Sequence, residues 1–343
     1  MRKLATVEVI REINVHTNAD SLELAVVRDW QVVVRKGEFK VGNKVVYFEI
    51  DSWIPNEIAP FLTKKDRYPH EFEGIKGERL RTVKLRNEIS QGLIIPLLDS
   101  VKDFSVGEDV TEILGIKKWE KPLPTCLQGS VKGNFPFFIK RTDVERIQNC
   151  WNDIINLDSQ LHWEVSEKLN GSSVTIYYHP EKGVGVCSRN LELKIEENGN
   201  NTYVSTVKNI GYLDVLEKLK LPIALQGELI GMKIQGNMYE LKEFKIYIFD
   251  IWFIDKQRYA SPKERYEIIN IFKENGLNID HVPLIGELPI LPNINSCLKL
   301  ADGKSLLNDK VNREGLVFKN TQINNTKIYN FKVISNNFLL NEK

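Results

Sequence analysis

The sequence predicts an α+β chain in two folded units: a small β-barrel over residues 1–117 and, over 141–343, a domain of antiparallel sheets with flanking helices, joined by a linker at 118–140. Three observations predict it. Residues 5–115 carry short apolar runs cut by turn residues and show no strong helical period. Residues 118–140 are irregular and hold Trp119, Pro122, Pro124, Gly129, Gly133 and Pro136, the composition of a connector between folded bodies. Beyond them strands and helices follow one another without the strand–helix–strand repeat that a parallel sheet requires.

In the first unit the expected strands run Ala5 to Ile13, Leu22 to Val27, Gln31 to Val34, Lys44 to Ile50, Leu80 to Arg86 and Leu93 to Pro96, with turns at Lys36-Gly37 and Val41-Gly42-Asn43. This pattern suits an OB-type barrel, and an SH3-like barrel gives much the same pattern. Arg79, Arg81, Lys84 and Arg86 surround Leu80, Val83 and Leu85, as either an ordinary solvated strand or a phosphate-tracking face would.

In the second unit Thr142-Asp143-Val144-Glu145 reads as a capping box opening a helix that runs to Asn156, with Ile147, Trp151 and Ile154 or Ile155 as its buried stripe. Strands are expected at Trp163 to Glu167, Ser173 to Tyr178 and Gly183 to Arg189, then a helix over Tyr203 to Leu219. Further strands fall at Ile223 to Ile230 and Lys245 to Ile254. Ser261-Pro262 opens a helix and Asn275-Gly276 closes it. Leu316 to Lys319 and Ile328 to Val333 end the chain as strands, and Glu196 to Asn201 reads as a surface loop.

The 343 residues, 42% hydrophobic, suffice for two packed cores. Lys+Arg 47 against Asp+Glu 46 leaves a net charge of +1, so a nucleic-acid surface has to come from local clustering of cations. Cys126, Cys150, Cys187 and Cys297 form no CxxC pair and the five histidines no metal-ligand spacing, which argues for free thiols in a reducing compartment. Met1-Arg2-Lys3-Leu4-Ala5-Thr6 lacks an apolar leader core, and no stretch approaches the roughly 18 apolar residues of a membrane span. The expectation is an intracellular, soluble monomer with no membrane partner.

The chemistry centres on Glu167-Lys168-Leu169-Asn170-Gly171-Ser172-Ser173. Lys168 directly follows an apolar strand, and Asn170-Gly171 can turn the backbone and offer N–H groups to a phosphate. A lysine amine attacks phosphorus only when uncharged, so its site must supply cations or a metal, acidic metal anchors and a face for a base. Downstream follow Gly227-Glu228-Leu229-Ile230-Gly231, Ile246-Tyr247-Ile248-Phe249-Asp250-Ile251, Glu314-Gly315-Leu316-Val317-Phe318-Lys319 and Phe331-Lys332-Val333-Ile334. Each alone is an ordinary core strand with a polar tip. The set, in that order, supplies each requirement.

That order resembles the covalent nucleotidyltransferase superfamily, which contains DNA ligases, RNA ligases and mRNA capping enzymes. Three features point within it to RNA ligases: no arginine after the Gly-Ser of the lysine motif, Gly227 to Gly231 followed by Ile234-Gln235-Gly236-Asn237, and Thr142-Asp143 with Arg146-Ile147-Gln148-Asn149 upstream. A barrel placed before the catalytic domain, together with Ile89-Ser90-Gln91-Gly92-Leu93, resembles the Naegleria-type RNA ligases, whereas DNA ligases and capping enzymes carry their OB domain after it.

The resemblance implies ATP-dependent joining of 3′-hydroxyl and 5′-phosphate RNA ends through lysyl-AMP and RNA-adenylate, in RNA repair, with nicked duplex among the candidate substrates. It implies Lys168 as nucleophile, Arg189 on the ribose, Phe249 stacked on adenine, and Lys332 at the α-phosphate. Arg146 and Lys140 would reach the β- and γ-phosphates, and Glu167 and Asn170 would complete the ATP site. Glu314 would anchor Mg²⁺ or Mn²⁺ through water, and Glu228 would bind the ribose or help hold the metal's hydration shell. Structural explanations compete for several of these: Phe249 as a core aromatic, Asp143 as a salt-bridge partner of Arg146 or Lys140, and Arg189 as a solvated turn residue. Two departures stand out. Asn170 occupies the superfamily's usual Asp position, and Ile334 replaces a second lysine after Lys332, leaving Lys319 or Lys327 to supply that charge. A GTP-using capping-type enzyme and a non-catalytic RNA-binding protein remain as alternatives.

Overall fold

The computed structural model describes residues 2–120, 130–157, 162–195, 201–320 and 329–341. Cys126, Lys327, linker residues 121–129 and loop residues 196–200 lie outside them. The chain divides into two compact units, Met1–Pro122 and Leu123–Lys343.

In the first unit a five-stranded antiparallel sheet runs in the order Leu93–Pro96, Lys44–Phe48, Ala5–Val15, Leu22–Val27, Trp30–Arg35. A register shift between Ile10 and Glu12 bends the long strand Ala5–Val15, so that its first half pairs with Lys44–Phe48 and its second with Leu22–Val27. Such a bulge is how one strand turns a barrel corner. Ser52–Pro55, Ile75–Arg79 and His70–Phe72 form a second sheet with Lys117–Lys118, and Val83–Leu85 pairs with Glu88–Ser90 as a hairpin. Val7, Val46, Phe48, Ile54 and Val101 fill one core, Ile10, Trp30, Val32 and Tyr47 another.

The strand expected from Leu80 to Arg86 is broken. Leu80 exchanges backbone hydrogen bonds with Asp51 and Ser52, which ends one sheet strand before the hairpin begins. Arg79 is drawn inward to Asp51 at 2.6 Å and lies 3.9 Å over the Trp119 ring. Arg81, Lys84 and Arg86 alone of that basic run stay exposed.

Among the described residues the second unit holds two sheets. The larger runs Val131–Asn134, Leu191–Leu193, Gly183–Cys187, Ser172–His179, Ile223–Ile230, Lys245–Phe253, Arg258–Tyr259, with Asp280–His281 added parallel to Lys245–Phe253. The smaller runs Leu284–Pro289, His162–Lys168, Gly315–Asn320, Asn330–Ile334. Val174, Ile176, Leu225, Leu229 and Ile248 of the larger sheet bury against helices Thr202–Ile210, Tyr212–Leu219 and Pro262–Glu274. Trp163, Val165, Leu316, Phe318 and Phe331 of the smaller bury against helices Ile147–Ile155 and Ile294–Ala301. Side chains alternate along a strand, so the remaining faces carry polar groups: Glu164, Ser166, Lys168, Lys319 and Lys332 on one sheet, Thr175, Gln226, Glu228 and Asp250 on the other. The Lys319–Asp250 ion pair joins these two faces.

Several local expectations are corrected. Residues 142–146 are not helical: the helix is Ile147–Ile155 with Arg146 at its N-cap. The preceding segment is drawn alongside the last strand, Lys332 N donating to Glu145 O at 2.8 Å, and that pairing overrides the capping signal. Gly211, at φ 95°, splits the expected helix Tyr203 to Leu219 in two. Residues 131–139, read as linker, instead form an edge strand and a buried anchor in which Phe138 and Ile139 pack with Tyr177 and Trp252. Strand Gly183–Cys187 stops before Arg189, because Ser188 N turns back to Leu191 O. Helix Pro262–Glu274 has the expected start, with a full capping box between Ser261 and Glu264. Among the described residues no helix is long and apolar enough to cross a membrane.

Candidate active site

Lys168 ends strand His162–Lys168 directly opposite Gly315. Glu314 therefore enters beside it, Oε1 lying 2.6 Å from Lys168 Nζ, while Ser335 N fixes the Glu314 carbonyl at 2.9 Å. The chain then turns at Gly171, where a Cβ would sit 2.5 Å from Leu229 O and 2.9 Å from Glu228 Cγ. No other residue allows this approach, which brings the Gly171 N–H onto the Glu228 carboxylate. The Asn170 N–H donates to the Tyr239 hydroxyl at 2.7 Å, and its amide nitrogen lies 3.5 Å from Met238 Sδ. Both N–H groups of this turn, expected to face a phosphate, thus have protein partners.

Burial pushes the half-buried Glu228 carboxyl up to about 7, against the pull of the Lys168 ammonium. The Glu314 charge adds to the rise, while the Gly171 N–H and the Arg189 guanidinium oppose it. Arg189 is exposed and pairs with Asp143 at 2.9 Å. Lys168, Glu228, Glu314 and Arg189 thus share one field, though their segments are far apart in the chain. Lys332 sits on the same face of the smaller sheet as Lys168, opposite Val317, which in turn pairs with Ser166. Arg146 forms a parallel bridge with Lys332 and is buried. Lys140 is exposed at its side chain, and its carbonyl accepts from Gln226 Nε2 at 2.7 Å.

Phe249 is half-buried and packs beside Leu169, Ile230, Tyr239 and Val282, with Lys319 Nζ 5.7 Å from its ring centroid. Glu167 is separated from this group. Adjacent residues on a strand point to opposite faces, and its buried carboxylate accepts from Leu306 N at 2.7 Å, with burial raising its pKa. Lys319 is committed elsewhere too: it pairs with Asp250 at 2.8 Å and donates to the Phe249 carbonyl, and burial holds its ammonium below the usual lysine range. Asp250, Tyr239 and the buried Glu164–Arg265 pair were not singled out from sequence. For Asp250 and Glu164 the available signal was a charge inside an apolar strand, which buries only with a partner.

Among the described residues no group of three or more His, Cys, Asp or Glu could cage a metal. Two carboxylates converging on one ammonium, one of them resisting ionisation, do fit a hydrated divalent cation held largely through water.

The family model described as RNA ligase matches residues 161–334, and an OB-fold domain model matches residues 4–97. The chain belongs to the RNA ligase family, with an N-terminal OB-fold domain. Among solved structures it is similar to a Naegleria gruberi RNA ligase with PPi, at 42% identity over 99% of this chain and 98% of that one, TM-score 0.89. Mutants of the same organism's RNA ligase, one with AMP and Mn and one with ATP and Mn, are each 42% identical over 98% of both chains, with TM-scores of 0.90 and 0.89. No match is found among curated proteins.

Proposed function

We propose that this ATP-dependent RNA ligase uses Lys168 as its nucleophile. The observation that carries the reading is the Lys168 ammonium held 2.6 Å from Glu314, beside a Glu228 carboxyl displaced to about 7. The Lys168 amine, once deprotonated, forms a bond to the α-phosphorus of ATP and expels pyrophosphate. The adenylyl group then passes to an RNA 5′-phosphate, and a 3′-hydroxyl attacks that phosphate and releases AMP. Positioning and charge neutralisation are the protein's part in each step.

Arg189 and Glu228 hold the ribose, Phe249 stacks on adenine, Lys332 meets the α-phosphate, and Arg146 and Lys140 take the outer phosphates. Asn170 serves through its backbone, held by Tyr239, and Glu167 braces the loop at Leu306. Mg²⁺ or Mn²⁺, held through water by Glu314 and Glu228, would supply the positive charge that favours a neutral Lys168 amine and offsets the phosphates. The substrate is RNA with 5′-phosphate and 3′-hydroxyl ends, nicked duplex included, and the OB-fold domain binds it. The protein acts as a monomer in RNA repair, in a reducing intracellular compartment that suits the free thiols Cys150, Cys187 and Cys297.

Incubation with α-labelled ATP and a divalent metal tests this. Label stays on the denatured wild-type protein and is absent from Lys168→Ala. Label from GTP alone indicates a capping-type transferase, and no label from either nucleotide indicates an RNA-binding protein without this catalysis. Both results defeat the proposal.

A further inference from the structure

Phe137 is 91% exposed, yet its segment is firmly anchored. The neighbouring Phe138 ring lies 5.4 Å from that of Tyr177 and 4.6 Å from that of His179. The Phe138 carbonyl accepts from Trp252 Nε1 at 3.0 Å and Gln257 Nε2 at 3.1 Å. Phe135 N donates to Asn190 O at 3.0 Å. A single exposed apolar side chain is ordinary; an exposed aromatic ring on a segment anchored by hydrogen bonds, with a cation 5.5 Å from its centroid, is suited to a ligand.

Those cations are specific. Lys182 Nζ lies 5.5 Å from the Phe137 ring centroid and 4.9 Å from that of Phe138. Arg141 lies 5.9 Å from the Phe135 centroid and donates to Asn190 Oδ1 at 3.4 Å. Lys140, Arg141 and Lys182 are all exposed, with the exposed Glu181 the acid in the same turn as Lys182. Asn190 follows Arg189 directly, so the Arg141 end of the patch lies next in sequence to a residue of the candidate active site. Aromatic faces interleaved with cations bind single-stranded nucleic acid, the ring taking a base and the cations its phosphates.

We infer that Phe137, Lys182 and Arg141 form a platform on the catalytic unit for the RNA strand leading to the reacting end. An unpaired base stacks on Phe137, and the flanking phosphates lie along Lys182 and Arg141 toward Arg189. The inference rests on the RNA ligase reading. It adds a binding surface outside the ATP site.

The test uses the full-length chain and a 5′-phosphorylated single-stranded RNA, with binding read by fluorescence anisotropy and self-adenylylation read from labelled ATP. Phe137→Ala weakens RNA binding roughly tenfold, the loss of one stacked base, and leaves adenylylation unchanged. Phe137→Trp retains binding. Lys182→Ala lowers the slope of log affinity against log salt by about 1. Wild-type affinity in Phe137→Ala overturns the platform, as does an equal loss in Phe137→Trp. Wild-type protein that forms no lysyl-AMP would defeat the ligase reading instead, and it would do so whatever Phe137→Ala does to RNA binding.

Discussion

Replacing Glu228 with Gln is expected to stabilise the protein at pH 8 and to leave its stability unchanged at pH 4. Burial raises this carboxyl from 4.5 to about 7 in the folded protein, while the unfolded chain keeps the ordinary value. Below 4.5 both states hold the proton. Between 4.5 and 7 the unfolded state ionises first, so stability falls as pH rises through that window and the loss is complete above it. At 1.36 kcal/mol per pH unit the displacement corresponds to about 3 kcal/mol. Partial solvent access at the cleft reduces this to about 2 kcal/mol. Gln keeps an oxygen for the Gly171 N–H and carries no charge to bury, and Lys168 retains Glu314 as its partner. In a unit of this size the gain reads as about 4–8 °C in Tm. Thermal melts of wild type and Glu228→Gln at pH 4, 6 and 8, free of divalent metal, measure it. Equal gains at pH 4 and pH 8, or no gain at pH 8, would refute the account of Glu228 as a carboxylate held against its own ionisation.

Two further outcomes follow from the same cleft. Lys319→Met strands the buried Asp250 carboxylate and costs about 3–5 kcal/mol in urea unfolding, while Lys319→Met with Asp250→Leu recovers most of that loss; a double variant no better than the single one contradicts the assignment of the pair. Gly171→Ala sets a methyl 2.5 Å from Leu229 O, so it moves the Lys168 loop and lowers the rate of lysyl-AMP formation at least tenfold, while far-UV circular dichroism stays at the wild-type signal.

How much of this was legible beforehand depends on the range of the forces involved. Leu22–Val27, Leu93–Pro96 and Ile223–Ile230 have their expected limits, because an apolar run bounded by turn residues sets them locally. The helix start at Ser261-Pro262 was legible for the same reason, and Glu264 completes a capping box there. Thr142 to Glu145 has the same spelling and a different outcome, since the distant strand Asn330–Ile334 captures its backbone. No local rule contains that competitor. Short strands such as His70–Phe72 and Leu191–Leu193 are too brief to show a period. In the site, the order of segments singled out Lys168, Glu228 and Glu314, which the fold brings together, and strand geometry alone could have set Glu167 apart from its neighbour.

Lys319–Asp250 and Lys168–Glu314 are lysine–carboxylate pairs whose lysines share one polar face, and their difference in exposure argues for which lysine reacts. Lys319 and Asp250 are 5% and 7% exposed, and Lys319 also donates to the Phe249 carbonyl. Lys168 and Glu314 are 29% and 16% exposed, at 2.6 Å against 2.8 Å for the buried pair. A buried pair cannot exchange partners without stranding a charge, which costs several kcal/mol, so Lys319 is suited to fastening the smaller sheet to the strand that carries Phe249. A pair open to solvent can be separated by a phosphate or a hydrated cation that replaces each partner's charge. Lys168 also stands at a strand end, where its amine can move, whereas Lys319 lies within one. Placing the fastening pair on the same polar face as Lys168 ties the strand that carries Phe249 to the sheet that carries Lys168. Loosening Lys319 would therefore misplace Phe249 relative to Lys168 even where the fold survives.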